Sequence, residues 1–109
     1  MRIDFLYSKA TGRSAEAEEA VRLAIEATDP NIEVVYTEVD GMEDARDKKF
    51  LGSPSVRVDG RDVEYGEREP DEYQAGVRYY NTPEGWKPYP HARLIANTII
   101  EMQHRAAAQ

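Results

Sequence analysis

The chain has 109 residues, of which 32% are charged, and a formal net charge of −7. This length suits one domain with a single hydrophobic core, and the charge disfavours nucleic acid and anionic membranes as partners. The absence of cysteine excludes disulfides, thiolate catalysis and cysteine-ligated metal sites. The only histidines, His91 and His104, lack a second ligand at zinc spacing, so no metal or cofactor is expected.

The first half of the chain alternates strand and helix patterns. Residues 3–7 (IDFLY) suit a buried strand, and residues 14–28 place small apolar side chains on one helical face. A second strand follows at 32–39 and a short helix at 41–51. The acid at position 4 argues against a signal peptide, and no run reaches the ~20 apolar residues of a membrane span, so we expect a cytoplasmic protein.

The third strand pattern begins at a proline. Residues 54–58 (PSVRV) and 62–65 (DVEY) flank the turn dipeptide Asp59-Gly60 and predict a β-hairpin. Proline lacks the N–H that a sheet ladder needs, so it is tolerated at the first residue of a strand.

The remainder predicts an irregular insertion and a closing helix. Residues 66–90 are acidic at first and rich in aromatics, with a small hairpin predicted from 77–80 and 86–89 around Pro83. The last helix is predicted to start near Pro90, and 105–109 reads as a frayed tail. Together the elements predict one α/β domain, a β-α-β-α-β-β-α sandwich with a mixed four-stranded sheet and an extra hairpin.

This order, with Pro54 opening the third strand, resembles the thioredoxin superfamily. Residues 50–64 (FLGSPSVRVDGRDVE) and 76–90 (GVRYYNTPEGWKPYP) resemble stretches of a group of small, mostly uncharacterised proteins labelled thioredoxin-like or alkylmercury-lyase-like. The resemblance covers nearly the whole chain. It implies a thioredoxin-like fold and a cis Ser53–Pro54 peptide bond facing the start of the first helix.

The resemblance also implies thiols that this chain lacks. Redox members carry a Cys-x-x-Cys motif at the start of the first helix, and the corresponding residues here are Thr11, Gly12, Arg13 and Ser14. The related group commonly has another cysteine where Val77 stands. A hydroxyl cannot form a disulfide and needs an adjacent base to act as a nucleophile, so we expect no thiol–disulfide oxidoreductase activity.

Two interpretations of the degenerate motif remain open. The helix start, with Arg13 beside it, is an anion or thiolate site in outline, and the backbone of Ser53 next to Pro54 can pair with an extended peptide. Thr11, Gly12, Arg13, Ser14, Ser53 and Pro54 are therefore the candidate ligand-binding residues. The alternative is that Thr11 and Ser14 only cap the helix.

Six of the ten aromatic residues fall between positions 65 and 89: Tyr65, Tyr73, Tyr79, Tyr80, Trp86 and Tyr89. They favour either a partner-binding surface or a set of rings that attach an irregular segment to the sheet. An exposed pair among them is predicted to indicate self-association as a homodimer.

Three functions follow from these residues. The first is a redox-inactive thioredoxin-like module that binds a peptide or protein, or itself. The second is an enzyme of glutathione-transferase type, in which Thr11 or Tyr7 stabilises a bound thiolate, although the chain lacks that family's helical second domain. The third is a purely structural assembly partner. An open groove at Thr11, Ser53 and Pro54 favours the first two, and a groove filled by segment 66–90 favours the third.

Overall fold

The computed structural model describes residues 1–66 and 73–108. Its strands are β1 (Arg2–Ser8), β2 (Glu33–Val39), β3 (Leu51–Ser53), β4 (Ser55–Val58), β5 (Arg61–Asp62), β6 (Gln74–Val77), β7 (Tyr80–Thr82) and β8 (Gly85–Lys87). Its helices are α1 (Ala15–Thr28), α2 (Gly41–Asp47) and α3 (Ala92–Ala107).

The main sheet has the order β2-β1-β4-β5. Strand β1 pairs in parallel with β2 along its whole length and antiparallel with β4, so the sheet is mixed. The predicted mixed four-stranded α/β sheet is thereby confirmed. Two further pairs, β3 with β6 and β7 with β8, lie outside this sheet.

Side chains from the two faces of β1 enter separate apolar clusters. Ile3 and Phe5 pack with α1, α3 and the buried Tyr80 on one face. Leu6 points the other way and packs with Val39, Phe50 and α2 residue Ala45. The alternation of a strand places both sets at the centre of the sheet, so the protein is layered with helices on both sides.

Two predicted elements are shorter than the sequence pattern indicated. Helix α2 ends at Asp47 instead of residue 51, because Lys49 has a positive φ of 54° and the chain then extends into β3. The strand predicted at 62–65 is limited to Arg61–Asp62. The Asp62 carboxylate accepts the backbone N–H groups of Glu64 and Tyr65 and turns the chain there.

The segment predicted to be an irregular insertion contains regular structure. Strand β6 lies within it. The predicted second hairpin is also present: its first strand, β7, lies later in the chain than the predicted 77–80, and its second strand, β8, lies slightly earlier than the predicted 86–89. Residues 67–72 of the insertion lie outside the described residues. Helix α3 continues through Ala107, into the predicted tail. No helix in the described ranges is long and apolar enough to cross a membrane.

Candidate functional site

Three hydroxyl groups meet between the end of β1 and the residue before Pro54. The Ser8 backbone N–H donates to Ser53 Oγ at 3.0 Å, and Thr11 Oγ1 donates to the same oxygen at 2.7 Å. The Ser8 and Thr11 hydroxyl oxygens lie 2.8 Å apart. We name Ser8, Thr11 and Ser53 the hydroxyl cluster. The cluster places Thr11, the first residue of the predicted motif, next to the Ser53–Pro54 peptide bond, which is cis.

The hydroxyl cluster is bonded internally and lacks a base. Ser8 and Ser53 are buried, whereas Thr11 is exposed. Within the described ranges, neither an imidazole nor a carboxylate hydrogen-bonds to any of the three hydroxyls. The Nδ1 of His91 instead accepts the Arg93 N–H at the start of α3. A hydroxyl without an adjacent base is a poor nucleophile, and the hydrogen bonds of the cluster hold the loop after β1 against Ser53.

The other motif residues are engaged elsewhere. Ser14 is the N-cap of α1, and its Oγ accepts the Ala17 N–H at 3.2 Å. The Arg13 guanidinium forms an ion pair with Glu18 and lies 3.7 Å from the centroid of the Tyr36 ring. Gly12 has a positive φ of 71° and donates its N–H to the Ser8 carbonyl. Capping thus accounts for Ser14, while Thr11 contacts Ser53 and the Arg13 charge is paired.

The backbone edge beside Ser53 is occupied by the chain itself. Strand β6 runs parallel to β3, and the Arg78 N–H donates to the Ser53 carbonyl at 2.9 Å. At the other end of the pair, the Gln74 N–H donates to the Phe50 carbonyl at 3.0 Å. An extended peptide that added to this edge would need these positions. The groove is therefore filled by part of segment 66–90.

Gly52 shows how closely β6 approaches. A Cβ atom on Gly52 would lie 2.8 Å from the Arg78 Cβ and 3.2 Å from the Gly76 carbonyl oxygen. Gly52 also has a φ of 110°, which side-chain-bearing residues rarely adopt. Strand β3 thus accommodates β6 because it carries no side chain at this point.

A buried ion pair holds the chain just after β6. Arg78 is 3% exposed, and its guanidinium contacts both carboxylate oxygens of Asp62, at 2.8 and 2.7 Å. The same group donates to Ser55 Oγ and Glu64 Oε1, each at 3.2 Å. A buried cation is tolerated when it is paired and hydrogen-bonded in this way. The pair fastens the chain after β6 to β5 and to the strand that follows Pro54.

The pKa of Asp62 is lowered in the folded protein. Burial acts to raise the pKa of Asp62, but the hydrogen bonds and charge of Arg78, with the N–H groups of Tyr65 and Glu64, outweigh it and hold the pKa below its usual value. Burial raises the pKa of Tyr80, whose hydroxyl donates to the Pro54 carbonyl at 2.7 Å. Tyr80 remains a neutral donor and anchors the second hairpin to the residue after Ser53.

The predicted aromatic segment both packs inward and faces solvent. Tyr80 is fully buried, whereas Tyr79 is 58% and Trp86 68% exposed. Trp86 is opposite Asn81 in the β7–β8 register, and Tyr79 lies two residues before Asn81, so their side chains share the outer side of the hairpin. Val77 is also exposed. We name Tyr79 and Trp86 the hairpin face.

Two surface depressions lie away from the hydroxyl cluster. One of about 560 Å³ lies beside Asp62, and the charged groups along it are paired, Arg61 with Glu101 and Glu64 with Arg78. The other, of about 400 Å³, lies between α1 and α3 and includes the exposed Leu23. Among the residues that the structure describes, no group of three or more metal-binding side chains is present.

The residues that sequence reasoning missed are Ser55, Asp62 and Arg78. The one signal available was an arginine placed between apolar residues in "VRYY".

Comparisons of the chain with protein-family models, with curated proteins and with solved structures found no significant match.

Replacing Gly52 tests how tightly β6 seals the Ser53 edge. Gly52→Ala introduces both a strained φ and a contact with Arg78, and we expect it to lower the free energy of unfolding by at least about 2 kcal/mol. Gly60→Ala is the matched control, because Gly60 also has a positive φ but a Cβ atom added there would meet no atom within 4 Å; strain alone costs about 1 kcal/mol. Urea unfolding measures both. Equal losses would mean that β6 does not press on Gly52.

Removing the buried cation tests the ion pair. Arg78→Met leaves Asp62 buried without its partner, and we expect a loss of about 3–5 kcal/mol. The double variant Arg78→Met with Asp62→Asn should recover part of that loss, because no unpaired charge remains. Arg22→Met, which removes an exposed ion pair with Glu19, is the control and should change stability far less. A double variant no more stable than Arg78→Met would contradict the pairing.

The low pKa of Asp62 predicts a pH dependence of stability. The contribution is complete above the pKa of an unfolded aspartate, about 3.9, and is lost as the pH falls through the lower folded pKa. The stability difference between the protein and Asp62→Asn should therefore shrink on acidification below about pH 4. Urea unfolding at a series of pH values measures it, and a constant difference down to strong acid would refute the assignment.

Proposed function

We propose that this chain is a redox-inactive protein of thioredoxin-like architecture that binds a partner protein through the hairpin face. The observation that carries the binding proposal is the exposure of Trp86 and Tyr79 on one side of a hairpin whose other side is anchored by the buried Tyr80. Large exposed aromatics on a rigid support are typical of protein interfaces.

Several features support the thioredoxin-like architecture. The order β2-β1-β4-β5, with β1 parallel to β2 and antiparallel to β4, agrees with the resemblance described for the sequence. The loop after β1 leads directly into α1, and Thr11 in that loop hydrogen-bonds to Ser53, beside Pro54. This contact agrees with the position that the resemblance implies for the degenerate motif.

The chemistry supports a role without redox turnover. Thiol–disulfide exchange begins with attack by a thiolate on a disulfide sulfur, and the chain has no cysteine. The two positions that correspond to the motif sulfurs carry hydroxyls with different tasks. Thr11 hydrogen-bonds to Ser53 and Ser14 caps α1.

The filled groove weighs against the glutathione-transferase alternative and against peptide binding at Ser53. Glutathione recognition by strand addition would need the Ser53 carbonyl, which accepts the Arg78 N–H. The hydroxyl of Thr11, one proposed thiolate donor, is directed to Ser53. The filled groove agrees better with an assembly role, and it moves the proposed partner surface from Ser53 to the hairpin face.

An unbiased peptide selection tests the binding proposal. A random peptide library is selected on the folded protein, and the enriched peptides are measured against Trp86→Ala and Tyr79→Ala. We expect each variant to weaken binding by at least about tenfold, as for aromatic hot spots.

The control variant is Leu23→Ala, which removes an exposed apolar side chain in the groove between α1 and α3. It should leave the affinities unchanged. Peptides that depend on Leu23 and ignore both aromatics would refute the hairpin face as the binding surface.

A reductant-coupled insulin assay tests the redox-inactive assignment. It should give no turnover above buffer, and measurable turnover would refute the assignment.

A further inference from the structure

The two edges of the main sheet differ in length. At one edge β5 contains only two residues, Arg61–Asp62, whereas at the other edge β2 contains seven, Glu33–Val39. Strand β2 contains no proline, and its register with β1 is uninterrupted along its whole length. Short strands, prolines and bulges are common means of keeping a sheet edge from pairing with another chain. Strand β2 has none of the three, so it is the edge that can accept a further strand.

The hydrogen bonds of β2 show which of its backbone groups face outward. The Val39 carbonyl accepts the N–H of Lys9, the residue that follows β1, so the backbone groups of Val39 are directed toward β1. Because this direction alternates along a strand, Val34, Tyr36 and Glu38 direct their N–H and C=O groups away from β1. Among the described residues, no other strand pairs with this outer side of β2.

The residues that flank β2 limit the outward donors to these three. The next outward positions in the alternation are Ile32 and Asp40. The Ile32 N–H donates to the Asp29 carbonyl at 3.3 Å, and the Asp40 N–H donates to the Asp44 carboxylate at 2.9 Å. Within the described ranges, the outward N–H groups without a partner are therefore those of the three positions centred on Tyr36.

This outward pattern has a two-fold symmetry. Tyr36 is the middle residue of Glu33–Val39, so a second copy of β2 that pairs antiparallel around Tyr36 uses the whole strand. Tyr36 is then opposite its own copy, and Val34 is opposite Glu38 on both sides. Each such pair exchanges two backbone bonds, which gives about six, within the range of about 10 ± 5 for typical interfaces. The Lys48 ammonium group donates to the Glu38 carbonyl at 3.2 Å and leaves its second lone pair available.

The charged side chains of β2 are compatible with the same register. Glu33 would lie opposite Val39 of the second copy, and Glu38 opposite Val34, so no glutamate of β2 directly faces another. Like charges directly opposite each other are the arrangement that destabilises a strand pair. The two Glu38 residues would be four positions apart, about 14 Å, which exceeds the Debye length of about 10 Å at 0.1 M salt.

The ring at the centre of the strand is held in place and is partly uncovered. Tyr36 packs on Phe5 with the ring centroids 5.3 Å apart, and the Arg13 guanidinium lies over it. Glu18 pairs with Arg13, so that charge is balanced within the chain. Tyr36 is still 40% exposed. Aromatic pairs across antiparallel strands stabilise a sheet, and this exposed part would meet its own copy.

We propose that β2 is a dimerisation edge, at which two copies of this chain pair antiparallel around Tyr36 and form one continuous sheet. The occupant is a second copy because the unpaired backbone groups and the ends of the strand share one centre, which a two-fold axis requires and an unrelated strand does not. Backbone hydrogen bonds supply the affinity, as in other cases of strand addition. This surface is separate from the hairpin face, since neither Tyr79 nor Trp86 lies in β2.

Single cysteine substitutions test the register, because the chain has no cysteine of its own. In Tyr36→Cys the two Cα atoms would lie about 5.5 Å apart, within the ~4.4–6.8 Å that a disulfide permits. In the control Glu33→Cys, at another exposed position of the same strand, they would lie about 20 Å apart. We expect diamide to convert Tyr36→Cys to a covalent dimer at least about tenfold faster than Glu33→Cys. Equal rates would indicate random collision and would overturn the proposal.

A proline substitution tests the edge without new thiols. Sedimentation equilibrium of the unmodified protein should show a concentration-dependent dimer. Glu38→Pro removes an outward N–H that β1 does not use, so the fold should persist by circular dichroism, while dimer affinity falls by at least about tenfold. Glu38→Gln removes the same charge and keeps the N–H, and it should dimerise at least as tightly as the parent protein. Equal affinities of the two variants would contradict pairing at β2.

Two further results would also overturn the proposal. One is a protein that stays monomeric up to about 1 mM. The other is a dimer that Trp86→Ala abolishes and Glu38→Pro does not, which would place the interface at the hairpin face. The β2 substitutions leave the hairpin unchanged, so failure of the dimer would not affect the proposed function, which the peptide selection tests separately.

Discussion

The architecture of the candidate site depends on the buried contact between Arg78 and Asp62. The side chain of Arg78 is fixed by two carboxylate contacts, and its backbone N–H is bonded to the Ser53 carbonyl. One residue therefore fastens the chain after β6 both to β5 and to the strand edge before Pro54. A cation this deeply buried is costly unless it is paired and hydrogen-bonded, so displacing β6 would also expose an unpaired charge. The edge is closed by an interaction that favours a single arrangement.

The hydroxyl cluster lies beside a strand edge that the chain itself occupies, because the Ser53 carbonyl accepts the Arg78 N–H. Its hydrogen bonds join the loop after β1 to the Ser53 side chain, and Ser14 caps α1. Thr11 and Ser14, which the resemblance aligns with paired thiols, thus serve two separate structural purposes.

The sequence predicted the sheet and the meeting of Thr11 with Ser53 better than it predicted the rest of the site. Alternating strands and an amphipathic α1 leave local periodic signals, and these suffice for the mixed four-stranded sheet but not for β3 and β6, which were not predicted. The end of α2 was missed because a single positive φ at Lys49 stops the helix, and lysine gives no warning of it. The Arg78–Asp62 pair joins residues 16 positions apart. Nothing local marks it, because it exists only once β6 has crossed beside β3, and parallel pairing of β3 with β6 leaves no turn signature between them.

The same anchoring that closes one surface presents another. Tyr80 contacts the Pro54 carbonyl with its hydroxyl and the Arg78 guanidinium with its ring, so the second hairpin is held by the same groups that seal the Ser53 edge. In the alternation of the hairpin, a buried Tyr80 requires that its neighbours face outward. The exposure of Tyr79 therefore follows from the burial of Tyr80. The closed Ser53 edge and the exposed hairpin face therefore depend on the same contacts of Tyr80 and Arg78. A partner surface at the hairpin face would follow from the way the insertion closes that edge.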